Sequence, residues 1–273
     1  MMASFPSSLP NSHRAFLNAA LATITEDNRI VGVALAGSFA TNTLDQFSDL
    51  DMVIAVEPTA HGQMMAERAE WAAKLSAEHQ LLTCLTGEHV GEPRLLIGLY
   101  QADDGGLLHI DFKFVAVADA AQRVDQPQLL WARDSRLADA LATPCGGYPQ
   151  PQGQWLEDRF WVWLHYAAGK VGRGELFEAL DFLSFLRQQV LGPLALAQAG
   201  HPPSGVRKLE QLLPEYALQL QQTVAGYQAA DLCRAIKASA SLYLALRSAQ
   251  VQVRDRAQQA ALTYLTQITT AVA

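Results

Sequence analysis

The chain has 273 residues, half of them hydrophobic, which is enough for two domains of ordinary size or one large one. Its formal net charge of −7 is unevenly spread: residues 1–150 carry 9 Lys and Arg against 18 Asp and Glu (−9), and residues 151–273 carry 11 against 9 (+2). An acidic first half suits divalent cations and a small, even cationic, substrate, and it argues against a long nucleic-acid footprint, which needs many phosphate-neutralising Lys and Arg on one face. Cys84, Cys145 and Cys233 are odd in number, far apart and in no CxxC pair, so neither a disulfide framework nor a zinc knuckle is indicated. The stretch Met1-Met2-Ala3-Ser4-Phe5-Pro6 lacks a basic region followed by an apolar run. No segment approaches the roughly 18–20 apolar residues of a membrane span. A soluble, cytoplasmic protein with no membrane partner is the expectation.

In chain order, 13–25 has helical spacing, and 30–36 (IVGVALA) is a short β-branched run ending at Gly37-Ser38. Residues 50–56 (LDMVIAV) read as a strand stopped by Glu57-Pro58, and 61–80 as an amphipathic helix. Three further strands are expected at 81–85, 94–100 and 107–117, the last two joined as a hairpin through Asp103-Asp104-Gly105-Gly106. The Pro- and Gly-rich stretch 143–153 marks a boundary, placed after residue 145. Beyond it, apolar residues recur at helical spacing in 155–170, 175–199, 205–223, 229–248 and 254–271. The predicted fold class is α+β: a mixed-sheet domain over 1–145 followed by an α-helical bundle over 146–273.

The chemistry concentrates in the first half. Asp49 and Asp51 are two apart in strand context, so they project to one face while Leu50 and Met52 turn into the core. Two carboxylates on one face repel each other unless a cation sits between them. Upstream, Gly37 lets backbone N–H groups approach a phosphate with no Cβ in the way, and Ser38 adds a hydroxyl donor. Ser48, beside the pair, offers another. In 108–114 (LHIDFKF), His109, Asp111 and Lys113 share one strand face and Ile110, Phe112 and Phe114 the other. Transfer of a nucleoside monophosphate from a triphosphate requires charge neutralisation on the phosphate oxygens and a poised acceptor hydroxyl. Asp49 and Asp51 suit Mg²⁺ at the triphosphate, and Asp111 suits a further metal position or the base that takes the hydroxyl proton. Lys113 divides evenly between binding phosphate and offsetting the acids and receives no role. The lone histidines His109 and His165 are read as structural.

Gly37-Ser38, the spacer, Asp49-Leu50-Asp51 among hydrophobics and a later strand Asp111 resemble the signature of the polymerase-β-like nucleotidyltransferase superfamily. In the second half, 155–163 (WLEDRFWVW) and 170–180 (KVGRGELFEAL) resemble the helical domain of small-molecule antibiotic nucleotidyltransferases of the aminoglycoside and lincosamide type. The resemblance covers about 30–115 by motif and 155–190 more loosely. It implies transfer of AMP from MgATP to a hydroxyl of a small acceptor held between the two domains, with pyrophosphate released. In that role Asp49, Asp51 and Asp111 are the metal and catalytic residues. Gly37, Ser38, Ser48 and Lys170 match the nucleotide-binding positions, and Glu175, Tyr166 and Trp163 stand where the acceptor pocket would lie. Taken on sequence alone, Lys170 is a solvated helix-end charge. Two other classes use the same residues: a nucleotide-sensing or partner-binding module of this fold without turnover, and an enzyme that nucleotidylates a protein or an RNA end. The intact carboxylates weigh against the first and the low basic content against the RNA version.

Overall fold

The computed structural model describes residues 4–75, 79–102 and 104–272. Residues 1–3 of the N-terminal stretch, 76–78 of the expected helix 61–80 and Asp103 of the expected hairpin turn lie outside them. The chain divides into two compact units, Met1–Gly147 and Tyr148–Ala273, so the division falls two residues beyond the expected position. The first unit is α+β and the second is helical.

In the first unit, among the described residues, six strands form one mixed sheet in the order β3-β4-β5-β2-β1-β6. The elements run α1 (Asn11–Glu26), β1 (Ile30–Leu35), α2 (Gly37–Ala40), β2 (Leu50–Val56), α3 (His61–Lys74), β3 (Gln80–Thr86), β4 (Leu95–Gln101), β5 (Leu107–Ala116), β6 (Gln128–Ala132) and α4 (Arg136–Ala142). β2 and β5 are parallel, and every other pairing is antiparallel. The β4–β5 connection closes as expected, with Gly105 at φ +82° and the Ala102 N–H donating to the Gly106 carbonyl at 2.9 Å.

One face of the sheet is the main core. α1 buries Phe16, Leu17, Ala20, Leu21 and Ile24, a stripe at helical spacing. Phe16 meets Tyr100 at 5.0 Å, and Trp71 of α3 meets Phe114 at 5.4 Å, both edge to face. The alternation of β5 sends Leu108, Ile110, Phe112 and Phe114 into this layer, each contributing about 1.5–3 kcal/mol on full burial. β1 does not alternate: a bulge between Ile30 and Gly32 shifts the register, so Ile30, Val33 and Leu35 join the main core while Val31 and Ala34 face the opposite side. On that opposite face, α4 and the 3₁₀ turn Val117–Ala121 cover one end through Val115, Ala120, Leu137 and Leu141. The acids occupy the part that α4 leaves open. β6 and α4 were not expected from the sequence.

The second unit contains α5 (Gly153–Gly172), α6 (Leu176–Leu186), α7 (Gly192–Gln198), α8 (Leu209–Leu212), α9 (Pro214–Leu220), α10 (Ala229–Leu246) and α11 (Asp255–Val272). The expected helix 175–199 carries a π turn, Arg187–Leu191, because Pro193 has no N–H to return to the carbonyl four residues back. The expected helix 205–223 is broken into α8, α9 and a 3₁₀ turn by Lys208 at φ +55° and by Pro214, which opens α9. The core is built on Phe160 stacked at 3.8 Å on Tyr243, with Trp161 edge-on to Phe160 at 5.2 Å.

Candidate active site

The parallel pairing of β2 with β5 sets Asp51 directly opposite Asp111. Antiparallel pairing of β4 then places Ile97 beside Asp111 and Leu95 beside Lys113. Leu50, Met52, Ile110 and Phe112 are buried beneath this row, while Asp51, Asp111 and Lys113 are half-buried on the open face. Asp49 stands one residue before the ladder of β2 begins, also half-buried. Its charge is close enough to act on Asp111, whose pKa is raised. Burial is the largest cause and Asp49 adds to it, while the His109 imidazole opposes both. His109 Nε2 lies 3.0 Å from Asp111 Oδ1.

Gly37 follows β1 at φ +57°, and a Cβ there would collide with the Asp51 carboxylate. Glycine meets both conditions without strain, since it has no Cβ and adopts positive φ freely. Replacing Gly37 with Ala is expected to cost about 1–2 kcal/mol for the left-handed backbone and to displace Asp51 as well. Urea unfolding measures the first effect. Ser38 is half-buried in α2, and its hydroxyl bonds none of the described residues. The Ser48 hydroxyl is spent inside its own turn: it donates to Asp45 Oδ1 at 2.9 Å and accepts the Asp45 N–H at 3.0 Å.

A cavity of about 270 Å³ opens on this face and is contained within the first unit. Asp51 and Asp111 stand in its wall, and Val53, Val115, Ala120 and Leu141 form an apolar floor. Its two cations already have partners. Lys113 pairs with Glu92 at 2.8 Å, and the Arg94 guanidinium, with Lys113 adding and burial opposing, holds Glu92 down at about 2. Arg123 donates to the carbonyls of Ala140 and Leu141, at 3.3 and 2.7 Å, closing the C-terminal end of α4. The cavity wall is therefore acidic.

Asp111 carries a testable signature. Below the ordinary carboxylate range it is protonated both folded and unfolded and costs nothing. Above its raised native value it is ionised in both states, and the fold bears the cost of the buried charge. Asp111→Asn keeps the acceptor oxygen for His109 and removes the charge. Its thermal midpoint is expected to exceed that of the parent at pH 7, with the gain shrinking as pH falls through the native value. A lower midpoint at pH 7 would show that burial and repulsion are not what Asp111 experiences.

The remaining predicted residues lie in the second unit. Lys170 donates to Glu175 at 2.6 Å and pairs with Glu178 at 2.9 Å, with its ammonium 5.0 Å from the Tyr166 ring centre. The two glutamates, Glu175 first, push its pKa well up. Tyr166 donates to Glu178. Trp163 packs edge-on between Trp155 and Phe185, with ring centres at 5.6 and 5.2 Å. Lys170, Glu175 and Tyr166 thus come together as one neutralised cluster, with Trp163 in a separate aromatic row. The resemblance implied phosphate for Lys170 and acceptor for Glu175; the structure pairs them with each other across the Gly174 turn, at φ +75°. His109, read as structural from the sequence, is bonded to Asp111, and its place on the same strand face was the signal for that contact. Glu178, eight residues after Lys170, was not singled out from the sequence.

Among the described residues, no group of three or more His, Cys, Asp or Glu side chains is gathered closely enough to hold a metal ion unaided. The donor chemistry on the acid face is carboxylate oxygen, which fits Mg²⁺, an ion bound through one or two protein carboxylates and completed by water and phosphate oxygens.

No protein-family model matches the chain, and no curated protein sequence matches it. Among solved structures it is similar to an aminoglycoside 6-adenyltransferase from Bacillus subtilis, with 15% identity over 97% of this chain and 98% of that one, at a TM-score of 0.37. Among the described residues no helix is long and apolar enough to cross a membrane.

Proposed function

We propose that the protein is a nucleotidyltransferase that moves a nucleoside monophosphate, AMP from MgATP, onto a hydroxyl of a small molecule and releases pyrophosphate, with an aminoglycoside or lincosamide as acceptor class. The observation that supports it best is the Asp51–Asp111 register across parallel β2 and β5, with Asp49 acting on Asp111 and Gly37 packed against Asp51. Same-charge groups set side by side on adjacent strands cost stability unless a cation or a proton is handled between them.

Mg²⁺ held by Asp49 and Asp51 would supply the charge neutralisation on the phosphate oxygens. The protein's own groups do the rest. The Gly37 backbone and the Ser38 hydroxyl receive phosphate oxygens. Asp111, with a raised proton affinity and one oxygen still available beyond His109, takes the proton of the acceptor hydroxyl as its oxygen bonds to the α-phosphorus and the bond to pyrophosphate breaks. The acidic cavity wall suits an acceptor that carries amines. Lys170 and Glu175 neutralise each other, so either reaches a ligand only by exchanging its partner.

The test is a pyrophosphate-release screen of aminoglycosides, lincosamides and simple hydroxylated metabolites with each nucleoside triphosphate and Mg²⁺. Metal-dependent release with one acceptor is expected. ATP binding by calorimetry with no release across the panel would favour a nucleotide sensor. Label transferred from ATP to protein or RNA would place the acceptor among macromolecules.

A further inference from the structure

We propose that the turn 45–48, bolted to α1 by His13, is the positioning element of Asp49, a role that rests on the nucleotidyl transfer proposed above. His13 is 2% exposed, on the helix face otherwise made of Phe16, Leu17 and Ala20. An imidazole costs free energy there unless it is hydrogen-bonded. Its Nε2 lies 2.7 Å from the Ser48 carbonyl oxygen, 35 residues away in sequence. A carbonyl only accepts, so the imidazole carries its proton on Nε2 and donates it, leaving Nδ1 to face the Ser12 hydroxyl at 3.4 Å.

Ser48 is the residue before Asp49, and the turn is closed from its outer side as well. The Ser48 hydroxyl and the Phe47 N–H both donate to Asp45 Oδ1, at 2.9 and 3.0 Å, and the Ser48 N–H donates to the Asp45 carbonyl at 3.2 Å. The backbone entering Asp49 is therefore fixed by α1 on one side and by Asp45 on the other, just before the β2 ladder takes hold at Leu50. Such a strut has a physical task. Asp49 and Asp111 repel, and a slack loop would relieve that repulsion by swinging Asp49 away. A directional hydrogen bond from the core keeps the carboxylate on the acid face, where it would serve as a ligand to a divalent cation. An apolar residue at position 13 would fill the same space without fixing the carbonyl.

The experiment measures Mn²⁺ affinity in the presence of a non-hydrolysable ATP analogue, by electron paramagnetic resonance, on the full chain. His13→Ala is expected to weaken Mn²⁺ binding about tenfold or more, the usual size for partners that orient a ligand. His13→Gln, whose amide can reach the same carbonyl, restores most of it. Asp45→Ala, at an exposed position, weakens binding in the same direction while the protein stays folded. On an Asp49→Asn background His13→Ala produces no further loss. Parental affinity in folded His13→Ala, or an equal loss on the Asp49→Asn background, overturns the assignment. Should His13→Ala not fold, parental affinity in Asp45→Ala overturns it. Failure of the parent protein itself to bind Mn²⁺ with the analogue would instead sink the nucleotidyl-transfer proposal.

Discussion

Asp51→Asn is expected to lower kcat/KM for the proposed Mg²⁺-dependent pyrophosphate release by about a thousandfold, equivalent to about 4 kcal/mol of transition-state stabilisation. The substitution is nearly isosteric, so the close packing against Gly37 survives. What is lost is one unit of charge from a face where Asp51 and Asp111 are paired across adjacent strands. The effect should fall on kcat as well as on the metal requirement, since charge on the transferring phosphoryl group is greatest in the transition state. The assay is steady-state release with the best acceptor of the screen, run beside a melting curve. Unchanged turnover in a folded Asp51→Asn protein would remove the carboxylate face from the mechanism.

The second large effect belongs to stability and to the helical unit. Glu157 is fully buried and accepts from Trp161 Nε1 at 3.1 Å, Tyr243 Oη at 2.7 Å and the Arg254 N–H at 2.9 Å, with Arg247 at 3.4 Å. Burial alone would raise its pKa. The Arg254 N–H, Tyr243 and Trp161, with the Arg247 charge, outweigh burial and hold it below the ordinary range. Removing one member strands the others, so Glu157→Ala is expected to destabilise the unit by about 3–5 kcal/mol. Urea unfolding followed by tryptophan fluorescence reads this directly, because Trp161 is one of the partners. The pH dependence has a definite sign. A depressed native pKa contributes stability that is present above the unfolded-state value near 4.5 and is lost as pH falls through the lower native value. Glu157→Ala should therefore flatten the acid limb of the stability profile. An unchanged limb would mean that Glu157 does not carry it.

Local pattern carried far in this protein. The alternation of β5 separates His109, Asp111 and Lys113 from Ile110, Phe112 and Phe114 in the sequence as clearly as it does in the sheet, because each strand residue reports its face directly. The helical periods of α5, α10 and α11 are legible for the same reason. β6 and α4 were not, and their composition explains it. β6 is a five-residue edge strand with Leu130 alone buried, and α4 buries only Leu137 and Leu141 in seven residues, too little for either period to show. The bulge in β1 similarly erased its alternation.

Residue types and their spacing along the chain determined which acids, glycine and serines could share a phosphate and metal face, because strand parity and glycine's freedom at positive φ are local properties. Tertiary structure alone decided which of them meet. The parallel register sets Asp51 against Asp111 across some sixty residues of chain. The packing of α1 brings His13 to the Ser48 carbonyl, 35 residues away, and the turn between α5 and α6 sets Lys170 against Glu175 and Glu178. Those pairings depend on distances between segments far apart in sequence or separated by a turn, and no periodicity within one segment encodes them.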